Sequence, residues 1–452
     1  SHLLSTMASK DRVGPLVAWG AAAIPLLLWM GADPPAPRPM GASALLVQVG
    51  QVMGLVGTAL LALSFVLATR VRWLEDYFGG LDKMYQTHHT LGITAFGVLV
   101  AHPVTLALRL IPEQLSRALL FLVPVHRQLA VNLGVYALWG LVALVALTLA
   151  RRVPYDTWKI THKGLGVVLL LGAAHMLTVR PTRGYDIAMA QEPGLWYYML
   201  GLAGLGLASA AYVSVWKPLF GRRLPCMVTG VQRLSKEVVE VELTPEAGRL
   251  DFFPGQYVFV SFRGEGLTRE SHPFTVCSPA GARAFRLTVK ALGDFTATLY
   301  ERLHEGVAAQ VDGPYGRFDF RRGGSDQIWI AGGVGVAPFL SWARHMAHAG
   351  DHAQSVDLQS VDLYYCVHSR GDAVYREEFE ALSKTIPGLR MRMVCSVEEG
   401  HLQVGDLGEL SGKDIFLCGP ARLTGDFRRK LRRRGVAREH IHFEDFEFRS
   451  SA

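Results

Sequence analysis

Cysteine is scarce in this sequence and absent from its first half. Five cysteines occur among the 452 residues, and the first of them is Cys226. None belongs to a C-x-x-C pair or to the spacing of an iron–sulfur cluster. The pattern indicates a reducing compartment and predicts that any redox chemistry of the chain runs without an iron–sulfur cluster.

Charged residues are also scarce in the first 216 residues, which hold the apolar excess of the chain. Half of all residues are hydrophobic, and the mean hydropathy is +0.21. Six apolar spans are long enough to cross a bilayer as helices. They lie at about 13–30, 43–69, 84–111, 128–150, 158–180 and 194–216. Residues 1–6, before Met7, are expected to be an added sequence and carry no weight here.

The basic residues that flank these spans are distributed unequally between the two sides. An even number of spans puts both termini on one side, which carries twelve Lys and Arg residues against six on the other. The bias predicts that both termini and the second half are cytoplasmic, in a bacterial-type inner or plasma membrane. It also accounts for much of the net charge of +7 without a nucleic-acid partner.

Two of the apolar spans each carry a pair of histidines. His88 and His102 are 14 residues apart, which on an ideal helix is a rise of about 21 Å and a rotation within about 40° of one face. His162 and His175 repeat the arrangement in a later span. Two such helices can clamp two stacked haems, with one histidine from each helix on each iron. The alternative is that these are membrane histidines bonded to backbone or water.

Two features of this ligand set stay open. The 13-residue spacing of His162 and His175 leaves about 140° of mismatch, which a tilt or a π-bulge must absorb. His89 competes with His88 as the inner ligand. His88 is preferred because a glycine follows four residues later, as it does after His162, and a flat macrocycle could lie against it. These glycines are Gly92 and Gly166.

The second half changes to short alternating strands and then to a strand–loop–helix pattern. Strands at 227–231, 238–243, 256–262, 274–278 and 285–289 predict a small antiparallel barrel, closed by a rigid turn at 312–316 (DGPYG). From residue 326 the pattern predicts a parallel α/β domain. The tandem QSVDL copies at 354–358 and 359–363 are interpreted as a duplicated loop and strand lead-in.

Two motifs in the barrel region predict a flavin site. In HPFT (272–275), His272 could donate to a phosphate, Phe274 could pack beside the ring and Thr275 could hydrogen-bond its edge. A buried strand after a turn is the alternative. In the segment 290–296, GDFT opens a helix with Thr296 near its N-terminus, which is an anion site suited to a pyrophosphate.

The α/β region carries two turns suited to a dinucleotide. A glycine-rich turn, GGVGVAP (332–338), follows a strand, and CGP (418–420) ends a second strand at the same sheet edge. Ser369 and Arg370 suit the 2′-phosphate of NADPH, with a structural salt bridge as the alternative. The basic run 428–434 is interpreted as a solvated helix face, with contact to anionic lipid as the alternative.

The motifs HPFT, GDFT, DGPYG, GGVGVAP and CGP, in this order behind six spans with paired histidines, resemble the NADPH oxidase and ferric reductase superfamily. The soluble half resembles ferredoxin–NADP reductases. The resemblance implies FAD on the barrel, NADPH on the α/β domain and two b-type haems. It also places Cys418 near the nicotinamide and makes Phe446 the C-terminal aromatic residue that stacks on the flavin. No EF-hand loop and no docking region for an activator subunit is evident.

The predicted fold is therefore a six-helix transmembrane haem-binding bundle (1–220), an FAD-binding antiparallel β-barrel (221–325) and an NADPH-binding α/β domain (326–452). The haem ligands are predicted to be His88, His102, His162 and His175, and the catalytic residues Thr275, Cys418 and Phe446. The predicted cofactor contacts are His272, Pro273, Phe274, Thr275, Lys290, Gly293, Asp294, Thr296, Gly332, Gly333, Gly335, Pro338, Ser369, Arg370, Cys418, Gly419, Pro420 and Phe446.

The expected activity is electron transfer from cytosolic NADPH through FAD and two haems to oxygen on the opposite face, which yields superoxide. A ferric-chelate reductase with the same path is the first alternative, and a membrane haem protein that senses or docks is the second. One departure concerns the acceptor: Leu106 stands where the animal oxidases would have a further histidine, and the outer half of the second span has no Arg or Lys.

Overall fold

The structure, a computed structural model, describes residues 13–31, 41–111, 113–150, 155–179, 192–221, 223–349 and 358–444. The chain divides into two compact units. One contains most of the residues up to Gly221, and the other contains residues 222–452. Each unit has its own architecture.

The first unit is helical. Within the described residues, six spans are long and apolar enough to cross a membrane, which confirms the predicted number. They are α1 (Val13–Gly31), α2 (Ala42–Leu67), α3 (Leu81–Leu108), α4 (Leu129–Leu149), α5 and α6 together (Tyr155–Lys163 and Leu165–Thr178), and α7 (Pro193–Ala211). A π-helical segment, Tyr212–Trp216, and a last turn, Lys217–Phe220, prolong α7.

Small residues allow these helices to approach closely. A Cβ atom added to Gly206 of α7 would lie 2.9 Å from the Cα of Ala62 of α2. Ala59 and Ala203 are also buried between the same helices. Such contacts are how helices pack in a lipid environment, where no hydrophobic difference drives them together.

The fifth span is broken at Gly164. The amide of Gly164 donates to the carbonyl of Thr161 at 3.0 Å, and the amide of Val167 donates to the carbonyl of Gly164 at 3.0 Å. Both are i→i+3 bonds, which wind the chain about 120° per residue instead of about 100°. The turn shifts His162 towards the face of His175. It does so without the π-bulge that the spacing allowed, and the π-helical segment lies at the end of α7 instead.

The second unit begins with a six-stranded antiparallel sheet in the order β4-β3-β6-β1-β2-β5. An isolated bridge between Val276 and Leu287 links the chain after β4 to β5, so the sheet curves into a barrel. Its strands are β1 (Leu224–Arg233), β2 (Val238–Pro245), β3 (Tyr257–Arg263), β4 (His272–Thr275), β5 (Phe285–Lys290) and β6 (Ala308–Tyr315). Helix α8 (Asp294–Arg302) follows β5.

One barrel prediction was wrong. The segment DGPYG does not form a turn, because Asp312 to Tyr315 belong to β6. The register between β3 and β6 shifts between Tyr257 and Phe259, opposite this stretch. A proline is tolerated at such an irregularity because its missing N–H is not needed for a regular ladder bond.

The last part is a five-stranded sheet in which every neighbouring pair is parallel, as predicted. The strand order is β11-β10-β7-β8-β9. The strands are β7 (Asp326–Gly332), β8 (Ser360–Val367), β9 (Leu389–Cys395), β10 (Asp414–Cys418) and β11 (Ile441–Glu444), with helices α9 (Ala337–Ala349), α10 (Arg376–Thr385) and α11 (Ala421–Arg433). The second QSVDL copy leads into β8, and most of the first lies outside the described residues.

Candidate functional site

The four predicted histidines form two facing pairs in the helical unit. The ring centroids of His88 and His162 are 6.1 Å apart, and those of His102 and His175 are 6.2 Å apart. One member of each pair lies on α3, and the other lies on the broken span α5–α6. The sequence separation of the pairs is therefore realised as two pairs at different levels between the same two spans.

Each imidazole has its Nδ1 atom engaged by a neighbouring helix. Nδ1 of His88 donates to the Ser64 carbonyl at 2.8 Å, and Nδ1 of His102 donates to the Gly50 carbonyl at 2.7 Å. These two carbonyls on α2 are 14 residues apart, like the histidines that they bind. The other pair follows the same rule, since His175 donates to Ala130 at 2.8 Å and His162 lies 3.3 Å from the Thr148 hydroxyl.

This arrangement matches what an axial pair of haem ligands needs. A metal–imidazole bond of about 2 Å on each side of an iron puts the two ring centres about 6 Å apart. With Nδ1 bonded, the nitrogen that remains for a metal is Nε2, in the tautomer that such a second bond fixes. Cβ atoms added at Gly92, Gly97 or Gly172 would meet no atom within 4 Å, so space is open beside these helices.

The structure separates the roles of the two adjacent histidines. His88 faces His162, whereas His89 is exposed on the helix surface. Of the two glycines compared in the sequence, Gly92 has open space beside it, but a Cβ at Gly166 would touch Ala210 at 3.4 Å. Only Gly92 therefore leaves room for a flat group.

Two glycines that the sequence reasoning did not single out make room for the histidine rings. A Cβ at Gly54 would lie 3.0 Å from the ring of His102, and one at Gly134 would lie 2.8 Å from Nδ1 of His175. Both pairs lie on the outer level by the predicted topology. Glycines inside apolar spans, on the helices that precede the histidine helices, were the signal available in the sequence.

In the barrel, the HPFT and GDFT motifs come together. The ring of His272 stacks on Phe295 with centroids 4.0 Å apart, and Nε2 of His272 bonds Glu270 at 2.7 Å. Phe274 and Thr275 are buried on β4, at 8% and 6% exposure. The start of β4 therefore lies beside the N-terminus of α8, which is the arrangement that a cofactor with both a ring and a pyrophosphate would require.

The N-terminus of α8 is closed by Thr296. Its hydroxyl accepts from the amides of Leu292 and Gly293, at 2.9 and 3.1 Å. Lys290 pairs with Glu237 at 3.6 Å, and Asp294 begins the helix. Thr296 thus holds the loop in shape, and its hydroxyl is engaged with this backbone.

In the α/β sheet, the two predicted turns meet at one edge. A Cβ at Gly335 would lie 2.5 Å from the carbonyl oxygen of Cys418, and a Cβ at Gly419 would lie 3.0 Å from the Cα of Gly332. A Cβ at Gly332 would also meet Pro420 at 2.9 Å. Backbone packs on backbone here, so these positions require glycine.

The strand order identifies this edge as the ligand crevice. From β7 the chain proceeds to β8 and β9 on one side, and then crosses to β10 and β11 on the other. The switch lies between β7 and β10, at the turns that begin at Gly332 and Cys418. Open α/β sheets bind their ligands at such a switch point. Pro338 and Gly333, which has φ of +54°, belong to the same turn and the start of α9.

Ser369 and Arg370 follow β8 at the same edge, but both are engaged by carboxylates. The Ser369 hydroxyl donates to Asp372 at 2.8 Å. Arg370 makes a two-pronged contact with Glu398, with Nε to Oε1 at 2.8 Å and Nη2 to Oε2 at 2.7 Å. Arg370 is 61% exposed, and the hydrogen bond from it lowers the pKa of Glu398.

Phe446 lies outside the described residues, which reach Glu444 beside Cys418 in the pairing of β10 and β11. The basic run forms the exposed side of α11, whose buried side carries Thr424, Phe427 and Leu431. The run is thus a solvated helix face, as interpreted from the sequence.

Three family models match successive parts of the chain. A ferric reductase-like transmembrane component matches residues 53–173, an FAD-binding domain matches residues 224–319, and an oxidoreductase NAD-binding domain matches residues 329–429. FAD- and NAD(P)H-binding domains are therefore present behind the membrane component, and the architecture implies electron transfer from NAD(P)H across a membrane.

Curated relatives match the second half. The reductase component of propane 2-monooxygenase from Rhodococcus jostii is 27% identical over 239 residues, 48% of this chain and 62% of that protein. The glycine betaine monooxygenase reductase subunit of Chromohalobacter salexigens is 30% identical over 215 residues, 43% of this chain and 56% of that protein. The chain thus spans about three fifths of the length of these relatives.

Among solved structures, the flavohemoglobin of Malassezia yamatoensis with bound FAD and heme is similar over 90% of this chain and 99% of its own. Its TM-score is 0.50 at 17% identity, which supports a likeness of fold. With six apolar helices followed by FAD- and NAD-binding domains in one chain, the protein is an oxidoreductase with the architecture of the NADPH oxidase and ferric reductase superfamily.

Proposed function

We propose that the protein oxidises NADPH at the cytoplasmic face of a membrane and delivers the electrons to molecular oxygen at the opposite face. One NADPH and two oxygen molecules would give NADP⁺, a proton and two superoxide ions. The observation that carries the proposal is the pair of facing histidine couples, at 6.1 and 6.2 Å, between α3 and the α5–α6 span.

Two b-type haems are the groups that these couples suit. His88 and His162 would hold the inner haem, and His102 and His175 the outer one. Their Nδ1 contacts orient each ring and raise its basicity as a ligand. Paired imidazoles leave no open position on an iron, which favours electron transfer over oxygen binding.

The second unit supplies the electrons. FAD, when bound, converts the two-electron hydride of NADPH into the single electrons that haem iron accepts. The residues proposed to hold it are His272, Phe274 and Thr275 on β4, with the N-terminus of α8. Those proposed to hold NADPH are the glycine turn after β7, the CGP turn after β10, and Ser369 with Arg370. Cys418 and Phe446 keep their proposed places at the nicotinamide and the flavin.

The orientation and the domain boundaries at residues 220 and 325 belong to the same proposal. They rest on the excess of Lys and Arg on the side of the termini. No activator subunit and no nucleic acid is part of the proposal, and the lipid bilayer is the expected environment of the helices.

A ferric chelate is the second candidate acceptor. Leu106 packs against α2 near Gly50, where its Cδ2 would lie 2.8 Å from a Cβ added there. It therefore places an apolar side chain at the position where the animal oxidases would have a further histidine. On the same side, Arg117 and Arg127 are exposed and could attract an anionic chelate.

The test uses the purified full-length chain, loaded with FAD and haem, in proteoliposomes. NADPH is added outside, and superoxide is followed by a dismutase-sensitive dye, with ferric-chelate reduction measured under argon. Rapid dismutase-sensitive turnover supports the oxidase. Fast chelate reduction with a negligible dismutase-sensitive signal would assign the second candidate.

His175→Ala is the matched block, with His89→Ala as its control. Loss of turnover in the first variant alone ties the acceptor to the outer histidine pair. If NADPH bleaches neither the flavin nor the haem bands of the wild-type protein, the membrane haem protein with a sensing role replaces both candidates.

A further inference from the structure

Helix α9 links the two halves of the second unit. It begins at Ala337, directly after the glycine-rich turn, so its N-terminus is fixed to the proposed nucleotide site. Along its second and third turns it faces the barrel. Trp342, which is fully buried, donates its indole N–H to the carbonyl of Pro254 at 3.0 Å.

Two side chains of α9 bind the backbone that leaves the flavin strand. The Ser341 hydroxyl donates to the carbonyl of Ser278 at 2.9 Å. One turn later, Nη1 of Arg344 donates to the carbonyl of Cys277 at 3.1 Å. These carbonyls follow Thr275 of β4 by two and three residues, so the helix that starts at one proposed ligand site ends on the backbone of the other.

Arg344 also joins a carboxylate from each half. It contacts Glu240 of β2 at 3.0 Å, and it binds Glu378 of α10 through Nε at 2.7 Å and Nη2 at 2.8 Å. The Arg344 side chain is 12% exposed and that of Glu240 is 5% exposed. A guanidinium group is suited to this role because its planar fork can bind several oxygens at once.

A second chain of hydrogen bonds completes the cluster. The Tyr375 hydroxyl donates to Glu240 at 3.1 Å and accepts from the Thr288 hydroxyl of β5 at 2.8 Å. Tyr375 lies just before α10, so this chain crosses between the two halves a second time. The buried polar groups are thus satisfied from both sides, which rigidifies a junction.

The thiol of Cys277 does not supply chemistry here. Burial, together with the charge of Glu240, raises its pKa to about 12, so it stays neutral. Its carbonyl, and not its sulfur, is what the arrangement uses.

We infer that Arg344 is a positioning residue that sets the approach of the nicotinamide ring to the flavin through the backbone after β4. The inference rests on the proposed NADPH-to-FAD step. In that step the hydride leaves the nicotinamide with both electrons of its C–H bond, the ring becomes oxidised, and the flavin is reduced. The rate of such a transfer falls steeply when donor and acceptor are displaced by an ångström or less.

The experiment is anaerobic stopped-flow reduction of FAD by NADPH in the full-length protein. Arg344→Ala should lower the limiting rate of flavin bleaching at least tenfold while FAD content and the Kd for NADPH stay within twofold. The long-wavelength charge-transfer absorbance of the nicotinamide–flavin complex should disappear. Added guanidinium ion should restore part of the rate.

Arg390→Ala is the matched control, because Arg390 pairs with Asp362 at 2.8 Å on the same sheet and makes no contact with the barrel. Its limiting rate should equal that of the wild type. Arg344→Lys and Ser341→Ala carry the test if Arg344→Ala does not fold. Both should slow bleaching, and Ser341→Ala should slow it less.

Equal limiting rates in the Arg344 variants, Ser341→Ala and Arg390→Ala would overturn the inference. So would a loss that only follows FAD content. In both cases the wild-type flavin is still bleached, and the proposed function stands. A wild-type flavin that neither NADPH nor NADH bleaches would instead remove the proposed function, and this inference with it.

Discussion

The His162 side chain binds a hydroxyl, whereas the other three paired histidines bind backbone carbonyls. Its Nδ1 lies 3.3 Å from Oγ1 of Thr148, and that hydroxyl donates in turn to the carbonyl of Leu144 at 2.8 Å. The hydroxyl therefore accepts from the imidazole. The carbonyl contacts of the other three measure 2.7 to 2.8 Å, so the contact to His162 is the weakest of the four.

Thr148→Val should shift the midpoint potential of one haem and leave the other in place. The loss of the acceptor makes His162 less basic, which stabilises ferric iron less and raises the potential. Potentiometric titration of the reduced haem bands measures this, with Thr148→Ser as the control that keeps the hydroxyl. Equal shifts of both haems, or none, would contradict the assignment of His162 to one site.

His88→Ala should remove one haem of two, and His89→Ala should remove none. His88 faces His162 at 6.1 Å, while His89 is exposed. The pyridine haemochrome of purified variants gives the number of haems per chain. If the alanine at 89 halves the haem content and the one at 88 does not, the ligand register is shifted by one residue.

Gly134→Ala should displace His175 and lower occupancy of the outer site. The added Cβ would lie 2.8 Å from Nδ1 of His175, too close for the ring to keep its place. Gly172→Ala is the control, since its Cβ would meet no atom within 4 Å. Haem content and the reduced spectrum are measured for both, and equal occupancy in the two variants would show that the ring moves aside at little cost.

Glu398→Gln should favour NADPH over NADH. In the structure, Glu398 occupies the fork of Arg370. Removal of its charge frees the guanidinium for a 2′-phosphate, so KM for NADPH should fall several-fold with little change for NADH. Arg370→Ala should have the opposite effect, by about 1.5–3 kcal/mol for a lost charged hydrogen bond.

Arg392→Ala serves as the control for this pair. It removes a neighbouring ion pair, with Glu399 at 3.2 Å, and should leave the nucleotide preference unchanged. Parallel changes in both KM values for Glu398→Gln would take Arg370 out of nucleotide selection.

Asp414→Asn should destabilise the second unit at neutral pH but not in acid. Burial opposes the charge of Asp414, but bonds from His442 at 2.8 Å and the Gly324 amide at 2.8 Å outweigh it and lower its pKa. A lowered folded-state pKa gives stability above the unfolded value of about 3.9, which is lost as the pH falls through the folded value.

The expected loss at pH 7 is about 1–3 kcal/mol, and it should shrink towards zero near pH 3. Thermal release of FAD fluorescence between pH 3 and pH 7 measures it. Asp426→Asn, which removes an exposed pair with Arg429 on α11, is the control. A gap between Asp414→Asn and the wild type that does not change with pH would point to shape, not charge.

Patterns within single segments predicted much of the fold. The six spans follow from length and apolar composition, and the parallel sheet follows from its alternation with helices. β6 was missed because Gly313 and Pro314 read as a turn, although they lie where the register with β3 is irregular. Local chemistry alone could not distinguish these two cases.

The partners of the site residues were beyond sequence reasoning because they lie far along the chain. Arg370 was identified as a cation at the nucleotide edge, but nothing nearby indicates that Glu398, 28 residues later, engages it. Arg344 was not noticed at all, because Glu240 lies 104 residues away. The histidine spacing was readable, yet the Gly50 and Ser64 carbonyls that orient two of the rings are ordinary helix backbone.

The break at Gly164 also bears on how the membrane unit is assembled. His88 and His102 are carried by one uninterrupted rod, so neither can turn without the other. His162 and His175 sit on either side of a joint. The cytoplasmic segment α5 can thus swing its ring into register after α6 is already packed, which allows the two metal centres to mature one after the other during biogenesis.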